Sequence, residues 1–151
     1  MQRIGLISDT HGLLRAEAVA FLQGCDRIVH AGDICDPAVL EALARIAPVD
    51  AVRGNNDRGA WADAIVERLT IRIEDVALLA IHDLADLSTT PRGVTIVVHG
   101  HSHKPTTVAR DGVLYVNPGS AGPRRFRLPI SIGELRIDGA KTEVNLVTLI
   151  A

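Results

Sequence analysis

Three histidines fall within five residues, at His99, His101 and His103, in a chain that contains only six. The residues before them, 95–98, are apolar or β-branched, which predicts a short buried strand. Pro105 prevents this strand from continuing as a central strand, so the imidazoles leave its end on one loop. Neutral imidazole is the commonest metal-ligating side chain, which makes this loop a candidate metal site, although short histidine tracts also occur without a metal.

Four other apolar runs also end in side chains that can bind a metal. In chain order these side chains are Asp9 and His11, then Asp33, then Asn55, then His82. Each has an ordinary explanation when taken singly, such as an aspartate that caps a helix or an asparagine in a turn. Together with His101 and His103 they offer oxygen and nitrogen ligands without sulfur, which suit Mn²⁺ first, with Fe, Zn²⁺ or Ni²⁺ as alternatives. Seven ligands favour two ions about 3.5–4 Å apart that share a carboxylate, an arrangement that hydrolyses phosphate esters.

The first third of the sequence alternates short strands with helices. Strands are predicted over 4–7, 27–30 and 49–52, and helices over 13–23 and 37–46. Asp36 and Pro37 are the predicted N-cap and first residue of the second helix. Short loops between these elements predict parallel βαβ units, whose ligand sites lie beyond the carboxyl ends of the strands. Asp9, His11 and Asp33 all fall there.

From residue 65 onwards the sequence predicts mainly strands. They are predicted over 65–73, 76–81, 95–98, 106–109, 113–116, 128–137 and 142–150. Asp111-Gly112 and Asp138-Gly139 have the residue types of tight hairpin turns. Residues 84–93 are too few and too rich in Thr, Pro and Gly for a long helix.

The composition is that of a folded chain with little net charge. Hydrophobic residues make up 47% of its 151 residues, which excludes disorder as the main state, and the length fits one domain over residues 1–151. The net charge of −2 favours neither nucleic acid nor a membrane as partner. Cys25 and Cys35 form no C-x-x-C pair, and few cysteines suit a reducing compartment. Without an apolar signal core or a membrane-length apolar run, we expect a cytoplasmic protein.

The ligand-type residues stand in five short motifs. In chain order these are Asp9-x-His11, Gly32-Asp33, Gly54-Asn55-x-Asp57, His82 and Gly100-His101-Ser102-His103. They resemble the metal-binding motifs of the calcineurin-like metallophosphoesterases. The loop Asn117-Pro118-Gly119-Ser120 and the closing hairpins resemble the compact YfcE-like phosphodiesterase subfamily. The resemblance covers nearly the whole chain and keeps all motifs in order, although each piece is weak alone.

This resemblance implies an α/β fold, a four-layer αββα sandwich with two central sheets flanked by helices. It also implies two metal sites, one held by Asp9, His11 and His103 and the other by Asn55, His82 and His101, with Asp33 bridging them. A hydroxide between the two divalent ions would attack the phosphorus of a small phosphodiester. The residues expected to act in catalysis are Asp33, His11, Asn56 and Asp57.

Two alternatives stay open for the function. The same ligands suit a phosphomonoesterase, and the same fold serves as a non-catalytic protein-interaction scaffold in the retromer subunit that resembles this family. That subunit departs from the complete ligand set, whereas this chain keeps all seven positions, which favours catalysis. The sequence leaves the oligomeric state open, with a homodimer or a larger assembly as options.

Three positions depart from the family pattern. Many relatives have a histidine after the ligand asparagine, proposed to protonate the leaving group, and here Asn56 cannot supply a proton at pH 7. Asp83 follows His82 where glycine is usual, so we expect Asp83 in a left-handed conformation, which aspartate tolerates. The short segment between His82 and His101 predicts that the usual helix there is reduced to a turn.

Several further residues lie beside the motifs. Four glycines are expected to let the backbone turn tightly, namely Gly12, Gly32, Gly54 and Gly100. His30 and His99 are expected to pack or to support the site without binding metal. Three arginines after the Asn-Pro-Gly-Ser loop would either meet a substrate phosphate or form a solvated basic edge, namely Arg124, Arg125 and Arg127.

Overall fold

The computed structural model describes residues 1–151 and contains ten strands and three short α-helices. The strands are β1 (Gln2–Ile7), β2 (Arg27–His30), β3 (Val49–Ala51), β4 (Arg68–Ile73), β5 (Val76–Ile81), β6 (Val94–Val98), β7 (Thr106–Arg110), β8 (Val113–Asn117), β9 (Ile130–Asp138) and β10 (Lys141–Ile150). The helices are α1 (Ala16–Leu22), α2 (Pro37–Ala44) and α3 (Ala60–Asp63), and Leu84–Asp86 form one 3-10 turn.

The strands form two mixed sheets of five strands each. The first has the order β10-β9-β1-β2-β3 and the second the order β4-β5-β6-β8-β7. In the first sheet β1, β2 and β3 run parallel, and in the second β5, β6 and β8 do. The predicted parallel arrangement of the first three strands is therefore confirmed. Both sheets bring the carboxyl ends of parallel strands to an edge, which is where open α/β sheets bind ligands.

The alternation of side chains along β1 builds the layers. Ile4 and Leu6 are fully buried between the two sheets, whereas Ile7 faces the helices α1 and α2 on the outer side of the first sheet. A side chain at Gly5 would collide with Leu22, so α1 lies directly on the strand there. Burial of each aliphatic side chain contributes about 1.5–3 kcal/mol, so these alternating positions hold helix, first sheet and second sheet together.

The helices are shorter than the sequence predicted. The α1 helix begins at Ala16 because Arg15 is extended and Leu13 closes a turn on Thr10. The start of α2 is as predicted, since Asp36 accepts a hydrogen bond from Ala38 and Pro37 is the first helical residue. Residues 65–67 belong to the turn after α3 instead of the following strand, which begins at Arg68.

The outer face of the second sheet has only a thin cover. Leu84 and Leu87, from the 3-10 turn and its end, pack against the buried residues Leu79, Ile81 and Val97. The predicted reduction of the helix between His82 and His101 to a turn is confirmed. None of the helices has the length and apolar character needed to cross a membrane.

Candidate metal centre

The seven predicted ligand residues converge at one edge of the two sheets. Asp9 and His11 follow β1, Asp33 follows β2, Asn55 follows β3, His82 follows β5, and His101 and His103 follow β6. The ends of five strands from both sheets therefore supply one cluster. The strand-end argument from the sequence predicted this convergence because carboxyl ends of parallel strands share an edge.

The first part of the cluster consists of Asp9, His11 and His103. The Oδ1 atom of Asp9 lies 3.4 Å from Nε2 of His103 and 3.9 Å from Nε2 of His11. The two Nε2 atoms of His11 and His103 are 3.3 Å apart. These three side chains form one of two groups whose ligand atoms are close enough to share an ion. It is the trio expected from the sequence.

Asp33 lies between this trio and the rest of the cluster. Its Oδ2 atom is 3.6 Å from Nε2 of His11 and 3.4 Å from Nε2 of His82. Asp9, Asp33 and His82 form the second group that could share an ion. Asp33 therefore has the central place that a bridging carboxylate requires.

Asn55 and His101 form the outer part of the cluster. The Oδ1 atom of Asn55 lies 3.2 Å from Nδ1 of His101, and the His101 side chain is 45% exposed. The His82 and His101 rings meet edge to face with their centroids 5.3 Å apart. This part faces solvent, whereas Asp9, Asp33, His82 and His103 are buried.

Buried polar atoms without partners indicate that the site suits a cation. Oδ1 of Asp9, Nε2 of His82 and Nδ1 of His103 are buried and make no hydrogen bond. Such groups cost about 1–3 kcal/mol each when left unpaired. The first two of these atoms face the middle of the cluster, so a cation there would satisfy them. The donor set of carboxylate, imidazole and amide groups fits divalent transition-metal ions.

The outer hydrogen bonds of Asp9 and His82 aim their free atoms inward. Oδ2 of Asp9 accepts from the Ser8 hydroxyl at 2.7 Å and from the His101 backbone at 3.1 Å, which leaves Oδ1 for the site. Nδ1 of His82 donates to the Ala31 carbonyl at 2.7 Å, so Nε2 points toward Asp33 and is the nitrogen that would bind a cation once it has lost its proton. A histidine that donates one nitrogen to a carbonyl and presents the other is typical of metal sites.

Five of the seven predicted ligands have a left-handed backbone. Their φ angles are 55° for Asp9, 46° for His11, 56° for Asp33, 72° for His101 and 63° for His103. Residues other than glycine rarely adopt this conformation, which costs about 1–3 kcal/mol and concentrates at functional sites. Asp83 is extended with φ −112°, so the expectation of a left-handed Asp83 was wrong.

The carboxylates of the cluster are held in the charged form. Burial alone would raise the pKa of Asp33, but contact with His82 and hydrogen bonds from Asn56 hold this pKa well below its usual range. Burial likewise opposes the charge on Asp9, and the neighbouring His103 and His82 outweigh it, so its pKa is also lowered. Both side chains are therefore available as anionic ligands at neutral pH.

Asp57 does not lie where a catalytic residue would. Its carboxylate accepts hydrogen bonds from the backbone N–H groups of Asp33 at 3.0 Å, Gly54 at 2.8 Å and Cys35 at 2.7 Å. It joins the loop after β2 to the loop after β3. The structure therefore gives Asp57 a positioning role in place of the catalytic role expected from the sequence.

Asn56 likewise contacts Asp33. Its backbone N–H donates to Oδ1 of Asp33 at 2.9 Å, and its side-chain amide donates to Oδ2 at 2.8 Å. The two bonds orient the carboxylate and stabilise its charge. The sequence did not predict this contact between Asn56 and the central carboxylate.

Two of the glycines beside the ligands are needed for space and not for a turn. A Cβ atom at Gly54 would collide with Asp33, and one at Gly100 would collide with Ser8 and Asp9. Neither glycine has a positive φ, in contrast to Gly12 and Gly32. Gly54 and Gly100 do begin tight turns, since their carbonyls accept from Asp57 and Ser102, but what requires glycine there is the close passage of two loops past the carboxylates.

The Asn-Pro-Gly-Ser loop supports the site, a role that sequence reasoning missed. The buried Asn117 side chain donates to the Gly100 carbonyl and to the Ser102 hydroxyl, both at 3.0 Å. Ser120 donates to the backbone carbonyl of Asp9 at 2.9 Å. This loop therefore fixes the backbone of the first and last motifs, and only its polar residues after a strand hinted at that role.

His30 has the packing role predicted for it. Its ring is fully buried, accepts from the Gly32 N–H at 3.1 Å and lies 3.0 Å from the Thr10 hydroxyl. Burial lowers the pKa of His30 to about 4, so the ring is neutral at pH 7. It supports the Asp9–His11 loop from behind.

Comparison with known proteins identifies the family. Residues 2–140 match the Calcineurin-like phosphoesterase superfamily domain. The chain belongs to this superfamily. A probable metallophosphoesterase of Methanothermobacter thermautotrophicus is 35% identical, over 95% of this chain and 91% of that protein. The phosphodiesterase MJ0936 of Methanocaldococcus jannaschii is 25% identical, over 78% of this chain and 82% of that protein.

A solved structure supports the same fold. YfcE, a phosphoesterase from E. coli, superposes with a TM-score of 0.73 at 23% identity, and the match covers 97% of this chain and 99% of YfcE. The predicted membership and the α/β phosphoesterase fold are confirmed.

Within this calcineurin-like domain Asp83 adds a carboxylate, whose Oδ2 atom lies 3.6 Å from Nε2 of His101.

Proposed function

We propose that this chain is a binuclear metal-dependent phosphodiesterase. One observation carries the proposal: the two groups of ligand atoms overlap, and Oδ2 of Asp33 lies between His11 of one group and His82 of the other. A structural site for one ion would need fewer ligands and no shared carboxylate. The name of the relative MJ0936 supports the choice of a diester as substrate class.

The proposed ligand sets follow the distances. Asp9, His11 and His103 would hold the first ion, His82, Asn55 and His101 the second, and Asp33 would contact both. Manganese is the proposed metal because carboxylate and imidazole ligands without sulfur suit it. Two such ions polarise phosphoryl oxygens and lower the pKa of a water between them, which supplies hydroxide near neutral pH.

The chain's own residues orient this chemistry. Asn56 holds the Asp33 carboxylate, and the Asp57 carboxylate holds the backbone of the same loop by accepting from its N–H groups. Ser8 and the His101 backbone hold the Asp9 carboxylate. Fixed ligands keep the attacking and leaving oxygens of a bound diester in line, which lowers the entropic part of the barrier.

The leaving group receives no proton from Asn56. An amide donates a hydrogen bond but cannot act as an acid at pH 7, and here the amide already donates to Asp33. Without a positioned acid, which contributes about 10²–10⁴-fold, the rate depends on the stability of the leaving oxyanion. We therefore expect nitrophenyl diesters to react fast and alkyl diesters slowly.

The test uses protein stripped of metal and reconstituted with Mn²⁺. Bis(p-nitrophenyl) phosphate and p-nitrophenyl phosphate share one leaving group, so they compare a diester with a monoester directly. Metal-dependent hydrolysis of the diester with the larger kcat/KM supports the proposal. A larger value for the monoester favours the phosphomonoesterase alternative, and bound metal without turnover of either compound favours the scaffold.

A further inference from the structure

A cavity of about 490 Å³ borders the first part of the metal centre. His11 and His103 form one wall, and the loop that contains Pro123, Arg125 and Phe126 forms the other. Because the cavity reaches two of the proposed ligands of the first ion, a group attached to a phosphate at the metals would extend into it.

Phe126 is an unfavourable residue for its place in this loop. Leu128 donates a backbone hydrogen bond to Arg125 at 3.1 Å, which closes a four-residue turn with Phe126 as its first central residue. The φ angle of Phe126 is 53°, a value that favours glycine at this position of a turn. Its side chain is also 87% exposed, the highest value among the large apolar side chains. The left-handed backbone costs folding free energy, and the exposed ring contributes no burial to offset it, which makes a role in binding the natural explanation.

The three arginines of the loop have three different environments. Arg124 also lines the cavity, but its guanidinium donates to the backbone carbonyls of Leu128 at 3.0 Å and Ala151 at 2.7 Å, so it anchors the loop. The Arg125 side chain borders the cavity and makes no hydrogen bond or ion pair. Arg127 is exposed on the same turn but does not border the cavity.

We propose that this loop is a subsite for one ester group of the substrate. The Phe126 ring offers a flat apolar face to a planar aromatic group, and the Arg125 guanidinium offers positive charge to the anionic substrate beside it. The preferred substrates are phosphodiesters with an aromatic ring in one ester group, as in a small nucleotide ester. The inference rests on the proposed function, because the metals must hold the phosphate.

Inert phosphonates test the subsite by binding alone. Phenylphosphonate and methylphosphonate carry the same anionic head, and their P–C bonds do not hydrolyse. Titration calorimetry on the Mn²⁺-loaded protein should give about tenfold tighter binding of the phenyl compound, since ring stacking contributes on this scale. Phe126→Ala should reduce this preference to less than twofold, while Phe126→Trp should keep it. A preference that survives in Phe126→Ala, with the metal content unchanged, overturns the proposal.

A matched pair of variants tests the arginine. Arg125→Gln should weaken the binding of both phosphonates several-fold and leave their ratio unchanged. Arg127→Gln lies on the same turn and has the same change in charge, yet it should change binding less than twofold. Equal losses of binding in the two variants would mean that only the total charge of the loop matters, and the proposed role of Arg125 would be wrong.

The outcomes separate this inference from the proposed function. A protein that prefers phenylphosphonate through Phe126 but hydrolyses no ester has the subsite and is not an esterase. A protein that hydrolyses diesters but binds both phosphonates equally is an esterase without the subsite.

Discussion

The two parts of the metal centre are built differently. The first part has two buried ligands, Asp9 and His103, and Ser8 and Ser120 fix the side chain and the carbonyl of Asp9. The second part has one buried ligand, His82, and two exposed ones, Asn55 and His101, whose nearest side-chain partners are each other and Asp83. Asp33 contacts both parts.

This difference predicts unequal metal affinities. Ligands that are already fixed lose little conformational entropy on binding, whereas exposed side chains must be ordered at a cost of about 0.5–1.5 kcal/mol each. We expect the first ion to bind about ten- to a hundredfold more tightly than the second. Substitutions in the two parts test that difference.

Asp33→Asn should abolish activity, with a loss on the order of 10³-fold or more, because it removes the only carboxylate between the two ions. Its metal content should fall below two ions per chain. The matched change Asp57→Asn alters a carboxylate that bonds only backbone N–H groups. It should mainly lower the free energy of unfolding, by about 2 kcal/mol, since an amide cannot accept all three bonds. Similar mild effects on metal content in both variants would contradict the central place of Asp33.

His103→Ala and His101→Ala compare the two parts directly. Loss of a residue that only hydrogen-bonds to a ligand typically costs ten- to hundredfold in metal affinity. Loss of the ligand His103 should cost more than this and should leave neither ion tightly bound. Loss of His101 should leave one tightly bound ion per chain. Elemental analysis after gel filtration measures both stoichiometries, and the same residual metal in the two variants would remove the asymmetry.

The first part should also be sensitive to acid through His30. The folded-state pKa of His30 is about 4, against an ordinary 6.5, because the neutral ring is buried behind the Asp9–His11 loop. The unfolded chain therefore takes up the proton first, and stability is lost as the pH falls from 6.5 to 4. The expected loss for the metal-free protein is about 3 kcal/mol, measured by urea unfolding across this range. In His30→Asn this slope should disappear, and an unchanged slope would assign the effect elsewhere.

Asp83 should matter only for the second part. Its Oδ2 atom is 3.6 Å from His101, and its Oδ1 atom accepts from the Ala85 backbone at the start of the 3-10 turn. Asp83→Asn retains the cap and removes the charge, and it should weaken the second ion about tenfold while the first is unchanged. Equal weakening of both ions would show that Asp83 acts through the total charge and not through His101.

The ligands could be predicted from the sequence because they follow strands. The period of apolar residues located β1, β2, β5 and β6, and the end of each strand carries a ligand. Parallel pairing then brings these ends together, so the members of the cluster could be predicted without coordinates.

Contacts within the loops could not be predicted in the same way. Asp57 looks like a catalytic carboxylate in the sequence, yet it accepts three backbone hydrogen bonds, which depend on how the loops after β2 and β3 meet. Asp83 was expected to adopt the left-handed backbone of the glycine that is usual at this position. Its side chain instead caps the 3-10 turn, and its φ angle is negative. Such features are set by long-range packing, which propensities do not contain.

A titration of the metal-free protein with Mn²⁺, followed by electron paramagnetic resonance, tests the binuclear centre most directly. The first equivalent of Mn²⁺ should bind tightly and give the signal of an isolated ion. The second should bind about ten- to a hundredfold more weakly and convert that signal to one of two coupled ions, because Asp33 contacts both. Saturation at one ion per chain, or two ions without coupling, would contradict a centre bridged by Asp33.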